Sequence, residues 1–188
     1  MKSQFLFLSA FALLCMTLLT GCLFVELKEY RFTPTDGNSG SGSITFTNVR
    51  STDEDTMDTT EGDFAAMISD YYEGTQLETE NPAFKNIQKT LYEKDGLLVA
   101  EITFTFDGLD AVKLYRYDQD SPYMYYLGGD AFDSEELVET NGTYGGENMP
   151  LIFWPKNKKS FYFKTRLATS LEGTRSLLPR YREWKQCE

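Results

Sequence analysis

From Leu97 to Phe106 apolar and polar side chains alternate. Leu98, Ala100, Ile102, Phe104 and Phe106 fall on one side, with Glu101, Thr103 and Thr105 on the other. A period of two over this length describes a strand with one dry face and one wet face. Just ahead stands Asp95-Gly96, a pair suited to the type I′ turn because both its central residues need positive φ. Asn86 to Lys94 supplies a strand on the other side of that turn. This stretch predicts a hairpin, and it commits the chain to an antiparallel sheet covered on one face.

The remaining elements follow by pattern. Leu23 to Phe32 is strand-like, with apolar residues at Leu23, Val25 and Leu27 and then at Tyr30 and Phe32, a phase change that predicts a bulge near Lys28. A loop of Gly, Ser, Asn and Asp from Asp36 to Gly42 precedes an alternating run from Ser43 to Val49, so these elements read as a second hairpin. Arg50 to Thr59 reads as a polar, acidic loop. Thr60 with Asp63 resembles a capping box, and Phe64, Met67, Ile68 and Tyr71 then recur at helical spacing up to Gly74. Their burial against the sheet is expected. Gly108 to Leu114 reads as a short helix, and Tyr123 to Leu127 and Glu136 to Thr140 as strands. Leu151 to Trp154, the turn Lys156 to Lys159 and Phe161 to Leu167 read as a third hairpin. Thr169 with Glu172 predicts a second capping box and a terminal helix that Pro179 breaks or restarts. The expected class is α+β: an antiparallel sheet of hairpins with one amphipathic helix and a C-terminal helix packed on one face.

At the N-terminus, Met1-Lys2 is followed by an apolar run from Phe5 to Leu19 and by Leu19-Thr20-Gly21-Cys22. Charge, apolar core and small residues in that order make a secretory signal peptide. The Leu-Thr-Gly-Cys ending resembles the lipobox of bacterial lipoproteins. That resemblance implies cleavage between Gly21 and Cys22, removal of residues 1–21, and acylation of Cys22 on its sulfur and new amino group. Residues 22–188 then form one domain starting directly at the lipidated cysteine, anchored through two or three acyl chains, enough for stable attachment. Leu23 rather than Asp after the cysteine resembles the sorting pattern for an outer membrane, facing the periplasm, if the host has two membranes. An uncleaved anchor helix and a soluble secreted form are the alternatives, the first interrupted by Ser9, Thr17, Thr20 and Gly21.

Loss of Lys2 from the 18 Lys and Arg leaves 17 against 29 Asp and Glu, a formal charge of −12. Such a chain repels phosphate backbones, so no nucleic-acid partner is expected. With Cys15 removed and Cys22 acylated, Cys187 stands alone, so no intrachain disulfide forms; a free terminal thiol and intermolecular pairing stay open. The sequence contains no histidine, which excludes the usual serine and cysteine triads and His-containing zinc sites. Neither a catalytic residue, a metal ligand nor a cofactor is expected.

Carboxylates are the only remaining catalytic currency. Asp53, Glu54, Asp55 and Asp58 cluster, as do Asp118 with Asp120 and Glu135 with Glu136, but an acidic chain produces such pairs on solvated loops. Asp53 to Asp58 lacks the turn glycine of a calcium loop. The 14 Phe, 12 Tyr and 2 Trp suit sheet packing, and Tyr71, Tyr72, Tyr115, Tyr117, Tyr123, Tyr125, Tyr126 and Tyr162 are candidates for a sugar- or peptide-binding groove. Asn141-Gly142-Thr143 matches a glycosylation acceptor, discounted because a lipobox implies a bacterium.

The strand at the lipidated cysteine, the Asp95-Gly96 hairpin, the strand Ile102-Thr103-Phe104-Thr105-Phe106 and the turn at Leu109-Asp110 resemble the LppM-type domain of bacterial envelope lipoproteins. That likeness carries no chemical motif and implies no activity. The functional expectation is a membrane-anchored envelope lipoprotein acting as a non-catalytic binding module for an envelope protein or glycan; the alternative is a carboxylate-dependent glycan-acting enzyme.

Overall fold

The computed structural model describes residues 23–35, 38–52, 58–128, 135–167 and 170–187. The lipobox, the acidic stretch 53–57 and Thr169 lie outside the described residues. Two long strands open the fold, β1 (Leu23–Pro34) and β2 (Gly40–Thr52), paired antiparallel as the alternation predicts. Their register is constant from Leu23 opposite Ser51 to Pro34 opposite Gly40, with only Glu26 and Asn48 left out of the ladder, so no residue is inserted near Lys28. That corrects the expected bulge. The phase change is real but shared: Tyr30, Phe32, Ile44 and Phe46 reach the covered face from even positions, Val25 and Val49 from odd ones. It falls between the pairs Val25–Val49 and Leu27–Thr47, where Asn48 takes φ 61°, a left-handed conformation that Asn tolerates. The Asn48 amide donates to the Glu26 carboxylate at 2.7 Å.

Helix α1 (Thr60–Ala66) continues into a π-helical stretch, Met67–Tyr72, closed by a five-residue bond from the Glu73 N–H to the Ile68 carbonyl at 2.8 Å. Phe64, Met67 and Ile68 are buried as their spacing predicts, and Tyr71 is half-buried. The capping box, however, is displaced. Thr59 holds the N-cap position without a side-chain cap, and Asp58 accepts the Thr60 N–H at 3.0 Å. Asp63 instead turns inward, accepting bonds from the Thr59 and Ser51 hydroxyls, and so ties the helix to β2. A short helix, α2 (Gln76–Glu80), then leads to β3 (Phe84–Lys94) and β4 (Leu97–Phe106). Asp95 and Gly96 between them have φ 53° and 74°, the geometry their turn type requires.

After a 3₁₀ turn at Leu109–Val112 come β5 (Leu114–Tyr115), β6 (Tyr123–Tyr126), β7 (Glu136–Thr140), β8 (Thr143–Tyr144), β9 (Leu151–Trp154), β10 (Phe161–Arg166) and β11 (Thr174–Ser176). They divide between two sheets. A seven-stranded sheet runs β3-β4-β2-β1-β10-β7 with β11 on β2, and a four-stranded one runs β5-β6-β9-β8. β9 and β10 therefore do not form the expected hairpin. Trp154 and Phe161 are both fully buried and face each other across the two layers, centroids 5.1 Å apart, so the connection crosses between sheets instead of pairing its flanks. No helix forms at Glu172, which stands in a turn before β11. The terminal helix α3 begins at Leu178, with Pro179 in its first turn where a missing N–H costs nothing. The class is α+β, and both helical and sheet covers lie on one face of the larger sheet.

Two cores result. One lies between the sheets: Tyr30 stacks on Phe163 at 4.5 Å, Phe84 on Phe104 at 3.7 Å, and Trp154 and Phe161 seal the centre. The other lies beneath α1, the π-helical stretch and α3, around Leu91, Leu98, Leu177 and Tyr181. Phe46 packs against both. Among the described residues no helix is long and apolar enough to cross a membrane.

Candidate ligand-binding cavity

The sheet face is incompletely filled where the two cores meet. Beneath the π-helical stretch lies an apolar compartment of about 330 Å³, walled by Leu23, Val25, Met67, Tyr71, Leu91 and Ala100. On the other side of α2 a second compartment of about 230 Å³ lies towards the smaller sheet, lined by Lys28, Tyr30, Ile44, Lys113 and Tyr125. Phe46, Leu77, Asn81 and Ile102 border both, so the two compartments abut along one trough. The dimensions fall in the range of small-molecule sites.

α2 acts as a strap over the junction. Five residues are too few for a stable free helix, and side chains from its neighbours hold it. Lys89 donates to the Gly74 carbonyl at 2.7 Å and pairs with Glu78 at 2.8 Å, while Tyr71 donates to Glu80 at 3.0 Å. Asn81 closes the strap by donating its amide to the Leu77 carbonyl at 3.0 Å.

The compartments differ in chemistry. Apolar side chains dominate the first, with Glu80, Asn81, Lys89 and Glu101 contributing its polar groups. At the second, the half-buried Glu135 carboxylate accepts from Lys28 at 2.9 Å, from the Thr165 hydroxyl at 2.6 Å and from the Tyr30 phenol at 3.3 Å. Burial, then the Glu135 charge, pushes the Tyr30 phenol far above its ordinary range, and the same causes raise Tyr125. Both stay protonated donors. Tyr30 donates to Glu135; Tyr125, half-buried, makes no hydrogen bond to another described residue. Lys113, at φ 56° after the 3₁₀ turn, is likewise without an ion pair to a described residue.

The tyrosine candidates do not converge. Tyr71 and Tyr72 line the apolar compartment and Tyr125 the polar one, while Tyr123 is buried under Phe161. Tyr115, Tyr117 and Tyr126 are exposed around the smaller sheet. Tyr162 lies on the open face of the larger sheet, beneath Arg31 at 4.4 Å and bonded to Glu29 and Glu139; burial first and those carboxylates second push its phenol up to about 12. The carboxylates also separate. Asp53, Glu54 and Asp55 lie outside the described residues. Asp58 and Asp118 cap their own turns, and bonds from Thr60 and Ser121 hold each below the usual carboxylate range. Asp120 pairs with Lys156, and Glu136 with Arg166. The Asn141 amide is spent on structure, accepting from the Trp154 indole at 2.7 Å and donating to the Ser160 carbonyl. Among the described residues no three His, Cys, Asp or Glu side chains gather as a metal site, and Cys187 is an exposed free thiol at the end of α3.

Sequence reasoning missed the trough, Glu135 as a hub and the Asp63–Ser51 tie. A trough is an absence of packing, and no residue type announces one. The sole hint was the phase change in β1, which brings Val25 and Tyr30 to one face. Comparison with protein-family models, curated proteins and solved structures finds no match for this chain.

Proposed function

We propose that this chain is a lipid-anchored envelope protein that binds a ligand without transforming it. Acyl chains on Cys22 hold it to the membrane, at the periplasmic side of an outer membrane in a host with two, and its partners are envelope components rather than nucleic acid. The observation that carries the binding reading is the two-compartment trough: apolar under the helices, polar at its far end, with its first wall formed by Leu23, the residue after the lipobox cysteine. A non-catalytic role agrees with the engagement of the described candidate carboxylates in caps and ion pairs.

Metabolic labelling with a clickable fatty acid tests the anchor: the wild-type chain takes label and Cys22→Ser does not. Equal label on the variant overturns it. Inner-membrane retention on a sucrose gradient in a two-membrane host removes the sorting assignment. Pull-down from native membranes tests the binding role, and reproducible turnover of a glycan, peptide or ester above a boiled control replaces it with an enzyme.

A further inference from the structure

We infer that the trough takes a single-chain anionic amphiphile of the fatty-acid class, with its hydrocarbon tail in the apolar compartment and its acid group at the Lys113–Tyr125 end. The inference rests on the binding reading above and names its ligand.

Three observations bear on it. First, the apolar compartment offers few polar partners, so a peptide amide or sugar hydroxyl placed there would lose its water without a replacement bond. Hydrocarbon loses nothing. Second, neighbouring compartments of about 330 and 230 Å³ that share Phe46, Leu77, Asn81 and Ile102 suit one chain better than the paired chains of a phospholipid. Third, the polar end is built to receive an acceptor. Tyr125 there is a half-buried, protonated phenol with no hydrogen bond to another described residue, a donor left available to a ligand in the compartment. Beside it Lys113 presents a cation free of described ion pairs, in a chain carrying 29 acidic residues against 18 basic ones. An anionic head satisfies both groups together, whereas a neutral head satisfies only the phenol. Lys28 is already paired with Glu135, which makes Lys113 the charge that discriminates.

The test uses the full chain in membranes isolated from expressing cells. A palmitate analogue carrying a mid-chain diazirine and a terminal alkyne is added, irradiated, and its crosslinked peptides mapped. Light-dependent crosslinks are expected on segments containing Met67, Tyr71 or Ala100. Unlabelled palmitate should displace the probe about tenfold better than hexadecanol, the worth of one charge-assisted contact. Ala100→Trp fills the apolar compartment and should cut crosslinking by at least about tenfold, provided its melting is unchanged. Lys113→Glu, on an exposed side chain that does not threaten folding, should erase the preference for the acid over the alcohol.

Crosslinks confined to other surfaces, undiminished labelling in a folded Ala100→Trp, or equal competition by hexadecanol overturns the proposal. Labelling that appears only in Cys22→Ser also overturns it, because the protein's own lipid would then fill the trough. Metabolic label on Cys22, read without irradiation, reports the anchor separately. Capture of a glycan or protein partner with no fatty-acid crosslink keeps the binding reading and discards this ligand.

Discussion

The two ends of the larger sheet bury apolar side chains in different ways. Between the sheets, rings stack on rings: Tyr30, Phe32, Phe104, Phe106, Trp154, Phe161 and Phe163 interlock around fully buried centres. Under the helices a mixed set covers the sheet, with Phe64 and Tyr181 in ring contact with Trp184 beside Leu91, Leu98, Leu177 and Met67, and it leaves an apolar compartment of about 330 Å³. Close packing is the normal condition of a protein interior. Here the larger gap, about 330 Å³, lies under the helices, and the smaller, about 230 Å³, lies at the margin of the ring-packed core.

Truncations at the two ends should therefore differ. Trp154→Ala removes the largest fully buried side chain, opens a cavity walled by rigid rings and leaves the Asn141 side-chain oxygen with the Tyr162 N–H alone; a loss of about 4 kcal/mol in chemical denaturation is expected. Met67→Ala should cost about 2 kcal/mol, because that side chain already borders a void and its neighbours lose fewer contacts. Equal losses would break the contrast. Glu135→Ala sits between the two regions: it leaves Lys28, Tyr30 and Thr165 without their shared acceptor and should cost about 1.5 kcal/mol, less for Glu135→Gln.

The smallest effect belongs to the open face. Tyr162 is raised to about 12 in the folded chain against 10 when free. The unfolded phenol releases its proton first, so this contribution is complete below pH 10 and falls away as pH climbs towards about 12. The melting temperature of Tyr162→Phe should decline less over that window than that of the wild type, and identical slopes would show that the shift has no folding consequence.

What could be read from residues was local. The Asp95-Gly96 turn and the alternation through Phe106 identify a hairpin because the turn itself dictates who pairs with whom. Phe161, Phe163 and Thr165 alternate just as clearly, yet nothing in them names a partner. β10 chose β1, more than a hundred residues away, because Phe163 could then lie on Tyr30. The capping assignments failed for a related reason: Asp63 had a better offer from Ser51 on β2 than from the helix's own backbone. For the trough, Lys28, Tyr125 and Glu135 lie far apart in the chain, and only the meeting of two sheets makes them neighbours.

The constant register of β1 against β2 has a mechanical consequence. This strand lies inside the sheet, flanked antiparallel by β2 and β10, and it begins one residue after the cysteine proposed to hold the membrane. Tension on that tether acts along the strand axis. It would load the β2 ladder in shear from Leu23 and the β10 ladder from Leu27 onward, where many hydrogen bonds resist at once, instead of peeling an edge bond by bond. Attached this way, the domain would meet tension with its longest ladder rather than with a sheet edge.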